Sequence, residues 1–121
     1  MPSLFEVTAG SLVGPATGGT VTQATNKATT VISNTESGQI TMNGAALADA
    51  AEVSFTVTNS KVSATDVVVA CHGSAGTAGA YIVSANSIAS GSFKITVSNV
   101  SGGSLSEAIV IIFVALKGAS S

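Results

Sequence analysis

Ala108-Ile109-Val110-Ile111-Ile112-Phe113-Val114-Ala115-Leu116 is an unbroken run of nine apolar residues that stops at Lys117. A helix needs about 20 such residues to cross a bilayer. The run is rich in β-branched side chains, which suit a pleated surface better than a helix, so it reads as a strand. A strand that is apolar at every position is expected to have both faces covered. In a chain of 121 residues that means either the middle of a sandwich or a contact between subunits.

Upstream of this run the chain breaks into short strand-like segments separated by turn residues. Residues 19–24 (GTVTQA), 27–33 (KATTVIS) and 39–43 (QITMN) come first, with a turn at 34–38 (NTESG). Residues 44–51 (GAALADAA) lean helical but are too few to hold a helix alone. Residues 52–58 alternate cleanly, with Val53, Phe55 and Val57 on one face and Ser54, Thr56 and Thr58 on the other. A buried strand is predicted at 65–71 and a glycine-rich loop at 72–78. A further strand follows at 79–85, and a second alternating one at 92–98 aligns Phe93, Ile95 and Val97. About eight strands at short spacing with no long helix predict an all-β, antiparallel β-sandwich. Strands this short suit a jelly-roll or an immunoglobulin-like order; the jelly-roll is the expectation carried forward. SFTVTNS (54–60) and SFKITVSN (92–99) resemble each other, as two equivalent strands in facing sheets would.

Residues 1–19 read as a separate extended arm ahead of a sandwich domain at 20–121. The arm holds both prolines, and Pro and Gly at this density stop regular elements from extending. Its Leu4, Phe5, Val7, Leu12 and Val13 are costly to leave in water, at about 1.5–3 kcal/mol for each large side chain. They are the candidate partner-contact residues. The arm has neither a basic start nor a continuous apolar core, so no secretion signal is expected and folding in a cytoplasm is.

Charge is scarce. Charged residues are 8% of the chain, the net charge is -2, and there is no arginine; a typical soluble domain is about 25% charged. Ser, Thr, Asn and Gly solvate the surface in their place, which suits a protein that works packed against others. Nucleic-acid binding needs clustered Lys or Arg, whereas Lys27, Lys61, Lys94 and Lys117 are scattered. Membrane insertion is likewise not expected.

Chemistry is equally sparse. Cys71 stands alone and forms no disulfide framework. His72 is the only histidine, and no Gly-x-Ser-x-Gly elbow surrounds any serine. One Cys and one His cannot supply a zinc site, and the six acidic residues are spread too far for a calcium loop. Asp49 and Glu52 form the nearest carboxylate pair and read as a solvated loop edge. The glycine-rich segment 73–79 lacks the Lys-Ser/Thr ending of a phosphate loop. Asn99-Val100-Ser101 matches a glycosylation sequon without a secretory context. No catalytic residue, cofactor or metal is therefore assigned, and an enzyme is not expected.

From about residue 20 to 117 the chain resembles a widespread group of small bacteriophage virion proteins. The resemblance is carried by GTVTQATNK (19–27), GQITMN (38–43), SFTVTNS (54–60), ATDVVV (64–69), GSFKI (91–95) and GSLSEAIVIIF (103–113). It implies an all-β structural module. The function expected from it is a capsid decoration, or cement, protein on the virion surface. Such a protein would bind across subunits of the major capsid protein as a homotrimer. The alternative is a tail fibre or spike module that touches the host surface, with Tyr81 as its one amphipathic aromatic.

Overall fold

The computed structural model describes residues 18–118. Eight strands follow in order: β1 (Thr20–Thr22), β2 (Val31–Ile32), β3 (Ser37–Thr41), β4 (Glu52–Thr58), β5 (Val67–Ser74), β6 (Tyr81–Ala89), β7 (Ser92–Asn99) and β8 (Val110–Leu116). They form two four-stranded sheets packed face to face, in orders β1-β3-β8-β5 and β2-β4-β7-β6. We call these the β8 sheet and the β7 sheet. The protein is thus an all-β sandwich, and no helix among the described residues is long and apolar enough to cross a membrane.

The pairs β3–β8, β5–β8, β4–β7 and β6–β7 are antiparallel, whereas β1–β3 and β2–β4 are parallel. The sheets are therefore mixed at one edge each. The cause is the path of the chain: from β1 to β4 it alternates between the sheets, so strands two apart land side by side pointing the same way. The jelly-roll order is not confirmed. Within the sheets, β2-β4-β7-β6 and β5-β8-β3 reproduce the neighbour relations of the immunoglobulin strands A-B-E-D and C-F-G. β3, which precedes β5 and β8 in sequence, takes the place beside β8 that strand G would fill, with β1 added outside it.

The core lies between the sheets. Phe55, Val57, Phe93, Ile95 and Val97 point inward from the β7 sheet, and Ile40, Ile111, Phe113 and Ala115 from the β8 sheet. Phe93 and Phe113 meet across the sandwich with ring centroids 5.4 Å apart and planes tilted by 56°, an arrangement that aromatic pairs favour. The two similar segments are neighbours in one sheet rather than equivalents in facing sheets: β4 pairs β7 with Val57 opposite Phe93 and Phe55 opposite Ile95.

β8 differs from its expectation in one respect. Ile111, Phe113 and Ala115 are buried, but Ile112 and Leu116 on the opposite face are exposed, and Val110 and Val114 are half-buried. Phe113→Ala should cost about 3–5 kcal/mol of stability, and Ile112→Ala no more than about 1 kcal/mol. Urea denaturation of the two variants reads the difference, and equal losses would place both faces of β8 in the core.

Candidate interaction face

The outer surfaces of the two sheets differ at their centres: the β4–β7 pair is polar, with the exposed Ile32 and Ile82 only on the edge strands β2 and β6, whereas the β5–β8 pair is apolar. On the β7 sheet, Ser54, Thr56 and Thr58 of β4 lie opposite Thr96, Lys94 and Ser92 of β7. Ser54 and Thr96 hydroxyls hydrogen-bond at 2.7 Å, and Asn86 Nδ2 donates to Thr96 Oγ1 at 2.9 Å. This is the usual solvated face of a half-buried sheet. On the β8 sheet, Val67, Val69 and Cys71 of β5 lie opposite Leu116, Val114 and Ile112 of β8. Val67, Val69, Ile112 and Leu116 are 54%, 50%, 41% and 49% exposed. Gly73 extends the patch, because a Cβ there would lie 2.5 Å from the Ile112 side chain; its absence lets Ile112 lie down over β5. The patch turns polar across β3, where Gln39 and Thr41 face Ile112 and Val110. Beside it is an open depression of about 370 Å³, lined by Ile112, Gln39 and the incoming Gly18, Gly19 and Thr20.

Polar clamps secure both ends of this face. At the Leu116 end, Asp66 accepts hydrogen bonds from Ser63 N at 3.0 Å and Ser63 Oγ at 2.9 Å, and from Lys117 Nζ at 2.8 Å. The Lys117 ammonium, followed by the Ser63 amide, holds the Asp66 carboxyl well below the usual carboxylate range. At the other end, Glu107 accepts from Thr77 N at 2.9 Å, Thr77 Oγ1 at 2.8 Å and Tyr81 Oη at 2.7 Å. The Thr77 amide, then the Tyr81 and Thr77 hydroxyls, lower the Glu107 carboxyl. Burial and the same carboxylate push the Tyr81 phenol up to about 12. Gly76 sits over this cluster at φ 76°, and a Cβ would meet Ile109 at 2.7 Å and Glu107 at 2.9 Å. The glycine-rich loop is thus tied down. Lys27, buried, donates to the Glu107 carbonyl at 2.7 Å and to the Asn43 carbonyl; burial lowers its pKa.

The structure separates Cys71 from His72 as a strand must: Cys71 is exposed on the apolar face, and His72 turns to the other side, edge-on to Tyr81 at 5.5 Å. His72 Nε2 lies 2.6 Å from the Ala75 carbonyl. A hollow of about 270 Å³ adjoins these residues. The Tyr81 hydroxyl proton and the His72 ring nitrogen nearest the loop are both engaged by protein partners, and the Tyr81 ring, 8% exposed, offers no open stacking face. Among the described residues, no three His, Cys, Asp or Glu side chains group to hold a metal ion. Asn99 of the sequon is buried, its Nδ2 donating to the Leu47 and Gly103 carbonyls, both at 2.8 Å, so the folded protein presents no acceptor amide there. Leu4, Phe5, Val7, Leu12 and Val13 lie outside the described residues. The 108–116 run signalled a second apolar face, but the predicted buried strand at 65–71 instead exposes Val67 and Val69 beside it, because β5 is an edge strand covered on one face only.

No family model matches the chain, and neither a curated protein nor a solved structure matches it.

The two depressed carboxylates set an acid limit. In the unfolded chain Asp and Glu titrate near about 3.9 and 4.3. The folded values are lower, so their contribution is complete above that range and is lost as falling pH lets the unfolded state take up protons first. The thermal midpoint should stay level from pH 7 to about 5 and drop below about pH 4. Asp66→Asn should melt lower at neutral pH and fall less steeply in acid. An unchanged acid slope in that variant would show that the clamp contributes nothing.

Proposed function

We propose that this chain is a bacteriophage capsid decoration protein, a homotrimer that binds across subunits of the major capsid protein on the virion surface. Its mechanism is adhesion by shape. The observation that carries the reading is the contiguous apolar outer face of the β5–β8 pair, set against the polar outer positions of the central strands β4 and β7 in the other sheet. Contiguous exposed apolar surface marks a site of interaction with other macromolecules. A chain with so few charges gains little electrostatic protection against association. The resemblance of residues 20–117 to small phage virion proteins supplies the setting. Several modest contacts held in one trimer add through avidity, so no single deep pocket is needed. The clamps at Asp66 and Glu107 fix both ends of the contact surface, which limits the ordering cost on docking.

Quantitative gel densitometry of purified virions tests the assignment. The expected result is a copy number comparable with that of the major capsid protein. A few copies per particle would move the chain to the tail, and absence from particles would end the virion reading.

A further inference from the structure

The apolar outer face of the β8 sheet and the chain that leads into β1 lie side by side. Gly19 accepts a hydrogen bond from Gln39 N at 2.8 Å, and Gly18, Gly19 and Thr20 line the same depression as Ile112. The first residues of the sandwich therefore emerge at the border of the patch. β1 runs parallel to β3, so the described chain enters the sheet from its Ser37 end rather than across the face. Seventeen residues precede Gly18. Extended, they reach on the order of 55 Å, more than twice the roughly 23 Å spanned by a seven-residue strand such as β8. Besides Met1 they carry five large apolar side chains, Leu4, Phe5, Val7, Leu12 and Val13, and a single charged side chain, Glu6. Composition and reach match an uncharged apolar strip of this size on a neighbouring molecule.

We propose that residues 1–17 of one copy seat on the outer face of the β8 sheet of the next copy, over Val67, Val69, Cys71, Ile112 and Leu116. Each copy then offers one arm and one face. Such a contact is heterologous, and it closes into a ring when the rotation permits, which gives the trimer a physical basis. The proposal rests on the assembly reading only for its closed homo-oligomer.

Cys71 is the only cysteine and lies on the face, so it serves as an internal probe. In the full chain, Leu12→Cys with a short bis-maleimide should give covalent species up to trimer on a denaturing gel. Adding Cys71→Ser should abolish every species that joins arm to face. A product cross-linked only within one chain, with monomer mobility, would overturn the proposal by placing the arm on its own face. Light scattering after gel filtration supplies the second measurement. Val69→Lys, at an exposed position that leaves the core intact, should convert the oligomer to monomer without shifting the thermal midpoint by more than a few degrees. The full-chain double variant Phe5→Asp/Leu12→Asp should do the same. Oligomers that survive the double variant but not Val69→Lys would mean that two sheet faces pair directly, and a parent chain that is monomeric at all concentrations would also overturn the proposal. These measurements use the isolated protein and the copy-number measurement uses virions, so either can fail without the other.

Discussion

Phe113 on β8 and Phe93 on β7 meet across the sandwich, and the rest of the structure is arranged around keeping them there. β8 lies between β3 and β5, and β7 between β4 and β6, so each ring hangs from a strand paired on both sides. A chain with four aromatic phenylalanines and no tryptophan has few large side chains with which to fill a core. Three of the four phenylalanines, Phe55, Phe93 and Phe113, are fully buried and surrounded by Ile and Val. Branched aliphatic residues hold few rotamers in strands, so they fill the space around the rings without much loss of side-chain freedom.

Beside the clamps at Asp66 and Glu107 and the buried Lys27, other loops are fixed by buried amides. Asn59, just after β4, and Asn99, the last residue of its partner β7, do the same work. Asn59 Nδ2 donates to the Thr35 carbonyl and its Oδ1 accepts from Lys61 N; Asn99 bonds the Leu47 and Gly103 carbonyls and accepts from Ser101 N. Gln23 holds the Lys27 and Thr29 carbonyls with its Nε2 and accepts from Asn43 N. Among the described residues every buried side-chain nitrogen and oxygen has a partner. That matters because a buried polar group without one costs about 1–3 kcal/mol. Neutral amides achieve this pinning without the larger desolvation penalty that buried ion pairs carry.

The alternating segments were legible because their periodicity is a local property. β4 is found at the predicted residues 52–58, and β7 exceeds its predicted 92–98 by only Asn99. Tertiary bonds decided the rest. The segment 27–33 has strand-like composition, yet only Val31–Ile32 is strand. The Gln23 amide takes the Lys27 and Thr29 carbonyls, and Asn26 Oδ1 accepts from Ala28 N, so a side-chain network replaces the strand ladder. The 72–78 loop begins three residues late because β5 continues to Ser74 through a bulge. Glu107, which anchors that loop, is 30 residues from Thr77, and no spacing rule links them. The apolar outer face was half legible: its β8 side follows from the 108–116 run, while its β5 side depends on which strand flanks β8.

The asymmetry between the two outer faces separates stability from function. Both sheets present equivalent inner faces to one core, so folding alone is indifferent to what lies outside. On β4 and β7 the outer positions carry Ser and Thr, which keep β-propensity while remaining wet. The same choice was open on β5 and β8, where a Thr in place of Val67, Val69 or Ile112 would satisfy the strand equally. Exposed apolar side chains on an edge strand such as β5 also raise the risk of uncontrolled pairing, which sheet proteins usually suppress with charge. Here the nearest charges, Asp66 and Lys117, are turned toward each other at one end of the strand, leaving the face itself uncharged. On the proposed reading the arm of the next copy covers this face, which removes a hazard that the fold alone leaves standing.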